Sequence, residues 1–454
     1  MSLKNRLIVG SLWAFLGQGT TLLFGLLSTV LLARLLDSSD LGLFFMASSI
    51  VVLISAVAQL GLGKAASREI GRSISMNTID EAWGYVLSIS LLAVTSTVTI
   101  SVLLAVWGYH FLALKLFTSE DLLSIKYMVI LWMALFALRN VMLDIYRGFH
   151  DIRSTVILGE PLTKTLFAFS LLGVWILNCN ISLQNTILIL ATSITAALVV
   201  GSVRLAIRSR QYVRVTFSPI IPLLRVALPL LVVNVTNMAY GQANVWLVSA
   251  FRPDKDVALF GAAMRLAIFV SLPLVVISSI MPPIIAALFA HNDRKRLSSV
   301  LQLTASLAAI PASLLTVVLL LFGKEILGLL YGAFYIDAYP ILSVLCIGYF
   351  ITVVAGLAGL SLSMTAHQEV TMWVNTAGLI TLVIGGIIAG PLYGALGIAI
   401  VSTCVVSIIA ISCAVLCRHV LAIDTFAKFS SLRGGDLRYL IDKVYDRLVG
   451  SNKE

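Results

Sequence analysis

Five charged side chains stand inside apolar runs of this sequence, where charge is costly. Glu160 and Lys164 are four residues apart with Pro161 between them, a spacing that puts both on one face of a helix. Two readings stand. The pair neutralises itself, or a desolvated carboxylate beside a lysine forms a proton-responsive site with coupled titration. Arg139 and Asp144 are five apart and do not face each other on a helix, so each is expected to contact a neighbour or to reach for the segment end. Arg265 is flanked by apolar residues. A guanidinium keeps its proton, so it requires an anion or water, and a phosphate suits its fork. No catalytic constellation stands beside these groups. The five cysteines (Cys179, Cys346, Cys404, Cys413, Cys417) form no CxxC pair and no metal-ligand spacing, so they read as packing residues. Neither a nucleophile–base pairing nor a Walker loop is placed, and no metal, cofactor or catalytic residue is expected.

A second constellation is uncharged. Gln18, Thr21, Gly25 and Ser28 are spaced 3, 4, 3, and so are Asn234, Asn237, Gly241 and Asn244, displaced by 216 residues. Each quartet occupies one helix face. Polar groups facing lipid are costly, so these faces should meet each other, other helices or water. Helix packing through small and polar residues is the alternative to a shared central cavity. The same offset relates Asp40-Leu41-Gly42-Leu43-Phe44 to Asp256-Val257-Ala258-Leu259-Phe260, and an offset of 217 relates Phe149-His150 to Ala366-His367. The chain therefore contains an internal repeat.

The elements that must position these residues follow from composition. The 454 residues are 59% hydrophobic and 11% charged, far from the soluble norm of roughly half apolar and a quarter charged. Twelve helical spans are predicted, near 8–33, 41–63, 83–107, 123–147, 155–177, 184–205, 222–250, 257–289, 299–322, 337–362, 370–390 and 392–416. The N-terminal apolar run continues too far for a cleaved signal and is expected to be the first span. The net charge of +10 would suggest nucleic acid in a soluble chain. Here 22 basic residues fall on the even-loop side and at both termini, against six on the other side. That asymmetry orients both termini to the cytoplasm. Six spans separate the repeats, so the halves are parallel repeats related by an axis along the membrane normal. Residues 1–214 and 215–417 are the expected lobes, with the basic loop before span seven as their hinge. Residues 418–454 are expected to form a cytoplasmic tail in which Leu437, Leu440, Ile441, Val444 and Leu448 mark either an amphipathic helix on the inner membrane surface or a solvated tail helix. Prolines 161, 229, 273, 282, 283 and 311 are expected to interrupt spans.

The segment LLARLLDSSDLGLFFMASSIVVLISAVAQLGLGKAASREI (31–70) resembles the first loop and second span of polysaccharide transporters, the oligosaccharide flippases of the multidrug/oligosaccharidyl-lipid/polysaccharide exporter superfamily. YRGFHDI (146–152), LFGAAMRLAIF (259–269), PPIIAALFAHND (282–293) and PLYGALGIAIVST (391–403) resemble the same family in the same order. The resemblance implies an all-α integral membrane protein of two pseudo-symmetric six-helix lobes around a central cavity. It implies a lipid-linked (undecaprenyl-diphosphate type) oligosaccharide moved outward across the cytoplasmic membrane by alternating access. It further implies coupling to an ion gradient, H+ or Na+, and partners among the polysaccharide-assembly proteins. Arg265 and Lys164 suit a diphosphate headgroup. The family often has fourteen spans, and the two extra helices of lipid II flippases look absent.

Two rival functions are weighed. A drug or toxin extruder would want deep carboxylates for cationic cargo, whereas Arg139, Lys164 and Arg265 outnumber Glu160 and Asp144. A glycan polymerase or glycosyltransferase would want a sizeable outer loop, and the longest, near 108–122, carries His110 without an acid–base partner set. A pure scaffold would leave the matched polar faces unexplained.

Overall fold

The computed structural model describes residues 3–76, 78–111, 121–209, 220–278, 281–290, 292–365 and 367–428. Among these residues the chain forms helices and no strand. The main helices of the first part are α1 (Leu3–Leu35), α2 (Ser38–Ala58), α3 (Leu62–Ser75), α4 (Ile79–Leu103), α5 (Lys126–Gly148), α6 (Ile152–Ile157), α7 (Glu160–Ile176), α8 (Leu183–Ser209) and α9 (Ile220–Phe251). The second part comprises α10 (Asp254–Ala267), α11 (Leu272–Ser278), α12 (Pro282–Ala290), α13 (Arg294–Tyr331), α14 (Tyr339–Ala355), α15 (Ala358–Met364) and α16 (Gln368–Leu421).

Among the described residues ten segments are long and apolar enough to cross a bilayer. One of them, α16, has 54 residues and changes direction at Gly394 (φ 63°, ψ −147°). A Cβ on Gly378 would touch Ile409, and one on Gly385 would lie 2.7 Å from Val401. These contacts pair residues symmetrically about Gly394, so α16 is an antiparallel hairpin of two spans. With the 32-residue apolar α9, the count is twelve. Long rows of apolar side chains stay exposed, such as Leu87, Leu91, Val94, Val98 and Val102 on α4. Such a surface suits lipid and not water.

Two spans break beside prolines expected to interrupt them, and the ninth runs through its proline. The eighth breaks at Ala267, passes through a 3₁₀ turn at Ile268–Ser271, and continues as α11 and α12. The fifth breaks at Leu158–Gly159, so Pro161 stands in the first turn of α7. There its missing N–H costs nothing, and it starts a helix where the sequence suggested an interruption. The ninth runs past Pro311 to Tyr331 and bends at Phe322 (φ −116°, ψ 16°). The expected amphipathic tail helix lies outside the described residues.

The chain divides into two compact units, Gly17–Ala258 and Leu259–Glu454 with Met1–Leu16. The first unit is built on α5, which packs against α2, α3, α4 and α8. Leu62, Ile70, Trp83, Ile89, Tyr146 and Leu158 form the centre of its buried core. α1 rests on α7, with the Phe24 and Phe169 rings 5.7 Å apart. α9, the first helix of the second sequence repeat, packs on α2 and α3 within this same unit. Internal similarity and compactness thus divide the chain at different points. Two glycines permit the close approach of α9 and of the start of α10. A Cβ on Gly42 would strike the Asp254 carbonyl, and one on Gly61 (φ +73°) would strike the Ala227 carbonyl. α9 therefore runs antiparallel to α2 along its length, and both glycines belong to the Leu-Gly-Leu motifs at the ends of span two.

In the second unit α14 packs between α13 and α16. The segment after α16 folds back. Asp424 N and O both bond the Ser298 hydroxyl, at 3.0 and 3.1 Å. Thr425 Oγ1 donates to Ala355 O at 2.9 Å. Ala427 N donates to Val354 O at 2.9 Å. The last carbonyls of α14, which a helix end leaves without intrahelical donors, are thereby satisfied.

Candidate functional site

The intramembrane charges of the first unit converge at the start of α7. Arg139 projects from α5 and is 2% exposed. Its guanidinium donates to Glu160 Oε1 at 2.6 Å, to Thr163 Oγ1 at 3.0 Å and to Asn140 Oδ1 at 3.2 Å. The Phe136 ring centre lies 4.8 Å from the guanidinium carbon, within cation–π range. The other Glu160 oxygen pairs with Lys164 Nζ at 3.5 Å. Glu160 and Lys164 are 41% and 29% exposed, so the cluster has a dry side at Arg139 and an open side at the pair. Fixing a buried guanidinium requires a fork partner and a hydroxyl, and the break at Gly159 lets α7 begin with both aimed at α5.

Glu160 opens onto a cavity of about 340 Å³. Its walls come from α2 (Ser55, with Gln59 just beyond), α3 (Lys64), α5 (Asn140, Asp144, Arg147) and α9 (Asn234). Asp144 ion-pairs with Arg147. Gly63 admits the Asp144 carboxylate, which a side chain there would displace. Lys64, Arg139, Arg147 and Lys164 face Asp144 and Glu160 around this cavity and its edge. In the lining Lys64 and Arg147 balance Asp144 and Glu160, and Arg139 and Lys164, both paired with Glu160 outside the lining, bring the surrounding cluster to an excess of two positive charges. Such a site can hold an anion by charge-assisted hydrogen bonds without a metal ion. No group of His, Cys, Asp or Glu that could hold a metal occurs among the described residues.

The sequence-selected residues divide as follows. Glu160, Lys164, Arg139, Asp144 and Asn234 come together at the cavity. Gly25 joins them, since a Cβ there would sit 3.4 Å from Lys164 Nζ. The polar face of α1 thus reaches the cavity's edge through Lys164. Gln18 is exposed and Thr21 half-buried, and neither lines the cavity. Ser28 is buried and donates to Phe24 O at 2.7 Å. On α9, Gly241 borders open space, and Asn244 Oδ1 is buried without a hydrogen-bond partner. The Asn237 side chain lies outside the described residues. Arg265 is exposed on α10 in the second unit. The partner of Arg139 was not legible in the sequence, because Glu160 is 21 residues away and only the fold joins them. Lys64 and Arg147 read in the sequence as orientation signals alone.

This fold, an all-α chain with this many spans and a polar, charged cavity inside one helical unit, recurs in solved structures. The chain superposes on an inward-facing multidrug resistance MATE family transporter of the MOP superfamily at TM-score 0.73 and 13% identity, covering 89% of this chain and 94% of that one. It superposes on the inward-closed lipid II flippase MurJ at 0.64 and 16%, covering 98% and 93%. A MOP superfamily transporter from Pyrococcus furiosus, described as having a binding pocket of reverse polarity, gives 0.60 and 16%, covering 92% and 96%. Comparison with curated proteins gives no match. The MatE family profile matches residues 229–388. The polysaccharide biosynthesis protein profile matches residues 7–289, more than half of the chain, and the protein belongs to that family.

Proposed function

We propose that this protein flips a lipid-linked oligosaccharide of the undecaprenyl-diphosphate type across the cytoplasmic membrane by alternating access. The observation that carries this reading is the cationic excess of the cluster at the cavity of the first unit, where Lys64 lines the cavity with Asn234, Gln59 and Asn140 and Lys164 pairs with Glu160 at its edge. Ammonium groups suit a diphosphate, and amide side chains suit sugar hydroxyls. Membership of a polysaccharide biosynthesis family supports a glycan cargo. The positive-inside distribution supports cytoplasmic termini. The repeat supports the lobes 1–214 and 215–417, each carrying one of the matched polar faces.

In this reading Lys164 meets the headgroup, Glu160 holds Lys164 in place, and Arg139 anchors Glu160. Arg265 is a further cation for the cargo in the second unit. An ion gradient drives the cycle, with Glu160 and Asp144 as the groups that would take a proton or Na+. The protein is a carrier and makes no bond in its cargo. The test is loss of the protein in its host. Lipid-linked oligosaccharide should accumulate on the cytoplasmic face, and Arg265→Ala should fail to restore export where Arg265→Lys restores part. Normal surface glycan with drug sensitivity alone would replace this reading with a drug extruder.

A further inference from the structure

A second hollow of the first unit differs in kind from the charged cavity. It is a groove of about 570 Å³ between α4 and α8, floored by α5, and its lining is apolar apart from Ser90, Ser202 and Ser209. It opens beside Leu87 and Val94, on the exposed apolar face of α4. On α4 the lining runs from Trp83 to Val94, and on α8 from Leu198 to Ser209. Both stretches rise about 16 Å, roughly half of a ~30 Å hydrocarbon core. The groove is therefore one leaflet long.

One end of the groove is built from aromatic and cationic groups. Trp83 is 2% exposed and its ring lies 5.0 Å from that of Phe149. The Arg208 guanidinium lies 5.0 Å from the Phe149 ring centre. Arg204 stands one turn away on α8, and both arginines are exposed. The Tyr146 hydroxyl donates to Gly201 O at 2.8 Å, three residues before Arg204 on α8. Asp80, three residues before Trp83, and Asp151, two residues after Phe149, supply carboxylates at this end. The guanidinium forks of Arg204 and Arg208 suit a phosphate at the membrane interface.

We infer that this groove binds one diacyl phospholipid, with an acyl chain along α5 and its phosphate at Arg208 and Arg204. The length of the groove selects an ordinary acyl chain over a polyprenyl chain, which far exceeds one leaflet. The site is thus a lipid site separate from the cargo path, and it holds α4 and α8 apart at a fixed spacing on α5.

The test uses the full chain in mild detergent and counts lipid adducts by native mass spectrometry. The probes are phosphatidylglycerol and undecaprenyl phosphate, added separately and together. Wild-type protein should retain one phosphatidylglycerol in preference to undecaprenyl phosphate. Arg208→Ala should lose roughly tenfold of that retention, the scale of one charge-assisted hydrogen bond, and Arg208→Lys should keep part. Ser90→Phe, which fills the groove and leaves the arginines intact, should abolish the adduct. Monodispersity of each variant by size exclusion shows that the fold survives. If Arg208→Ala does not fold, Ser90→Phe and Arg208→Lys decide. Undiminished retention in the folded variants overturns the proposal, as does preference for undecaprenyl phosphate.

Discussion

Breaking the Arg139–Glu160 pair from its two ends should give unequal costs. Glu160→Gln keeps the shape and removes the charge, leaving a 2% exposed guanidinium with Thr163, Asn140 and a neutral amide oxygen. Removing one partner of a fully buried pair costs about 3–5 kcal/mol. Glu160 is itself 41% exposed, so water recovers part of that and about 2–3 kcal/mol remains. Arg139→Met removes the buried charge instead. It leaves Glu160 open to the cavity and still paired with Lys164, at a cost of about 1 kcal/mol. The double variant should be less destabilised than the sum of the singles, with a coupling of about 1–3 kcal/mol. The assay is the thermal transition of purified protein in one detergent, followed by tryptophan fluorescence at a fixed scan rate. A Glu160→Gln variant that melts like the wild type, or an Arg139→Met variant that melts lower than Glu160→Gln, would refute the geometry of the cluster.

Lys164→Ala removes a part-exposed charge from the open side, so it should lose most transport while its melting temperature stays within about 2 °C of wild type. Gly61→Ala places a side chain in the left-handed region and against the Ala227 carbonyl, and should destabilise by about 2 kcal/mol or more, read in the same melt. Gly394→Ala forces a side chain into the reversal of α16 (φ 63°, ψ −147°) and should cost about 1–3 kcal/mol. A cysteine at Asn234 should react with a water-soluble thiol reagent, and one at Ser28, which is 6% exposed, should be protected. The opposite pattern would show that the cavity is not the wet side of these helices.

The membrane class and the twelve spans were legible because each depends on residues close in sequence. Apolar run length marks a span, and the 3, 4, 3 spacing marks a face. The breaks were harder to read. Gly159 and Pro161 mark the break of the fifth span, whereas Ala267 carries no breaker of its own and tertiary packing decides where the eighth span bends. The cluster was half legible. The four-residue spacing of Glu160 and Lys164 announced their pairing, but the meeting of Arg139 with Glu160 and of Asp144 with Gly63 needs α5 to lie between α3 and α7. The roles of Gly42 and Gly61 were visible only as parts of a motif. Their function as contact points for α9 appears when its backbone is placed along α2.

The most direct test of the account is translocation by the purified protein in proteoliposomes. Polyprenyl-diphosphate oligosaccharide is incorporated, an ion gradient is imposed, and the sugar left exposed to a membrane-impermeant oxidant is measured over time. The account predicts protein-dependent movement of the oligosaccharide between leaflets, abolished by Lys164→Ala and retained in part by Lys164→Arg. An active preparation that moves cationic dyes but leaves the oligosaccharide in its original leaflet would contradict it.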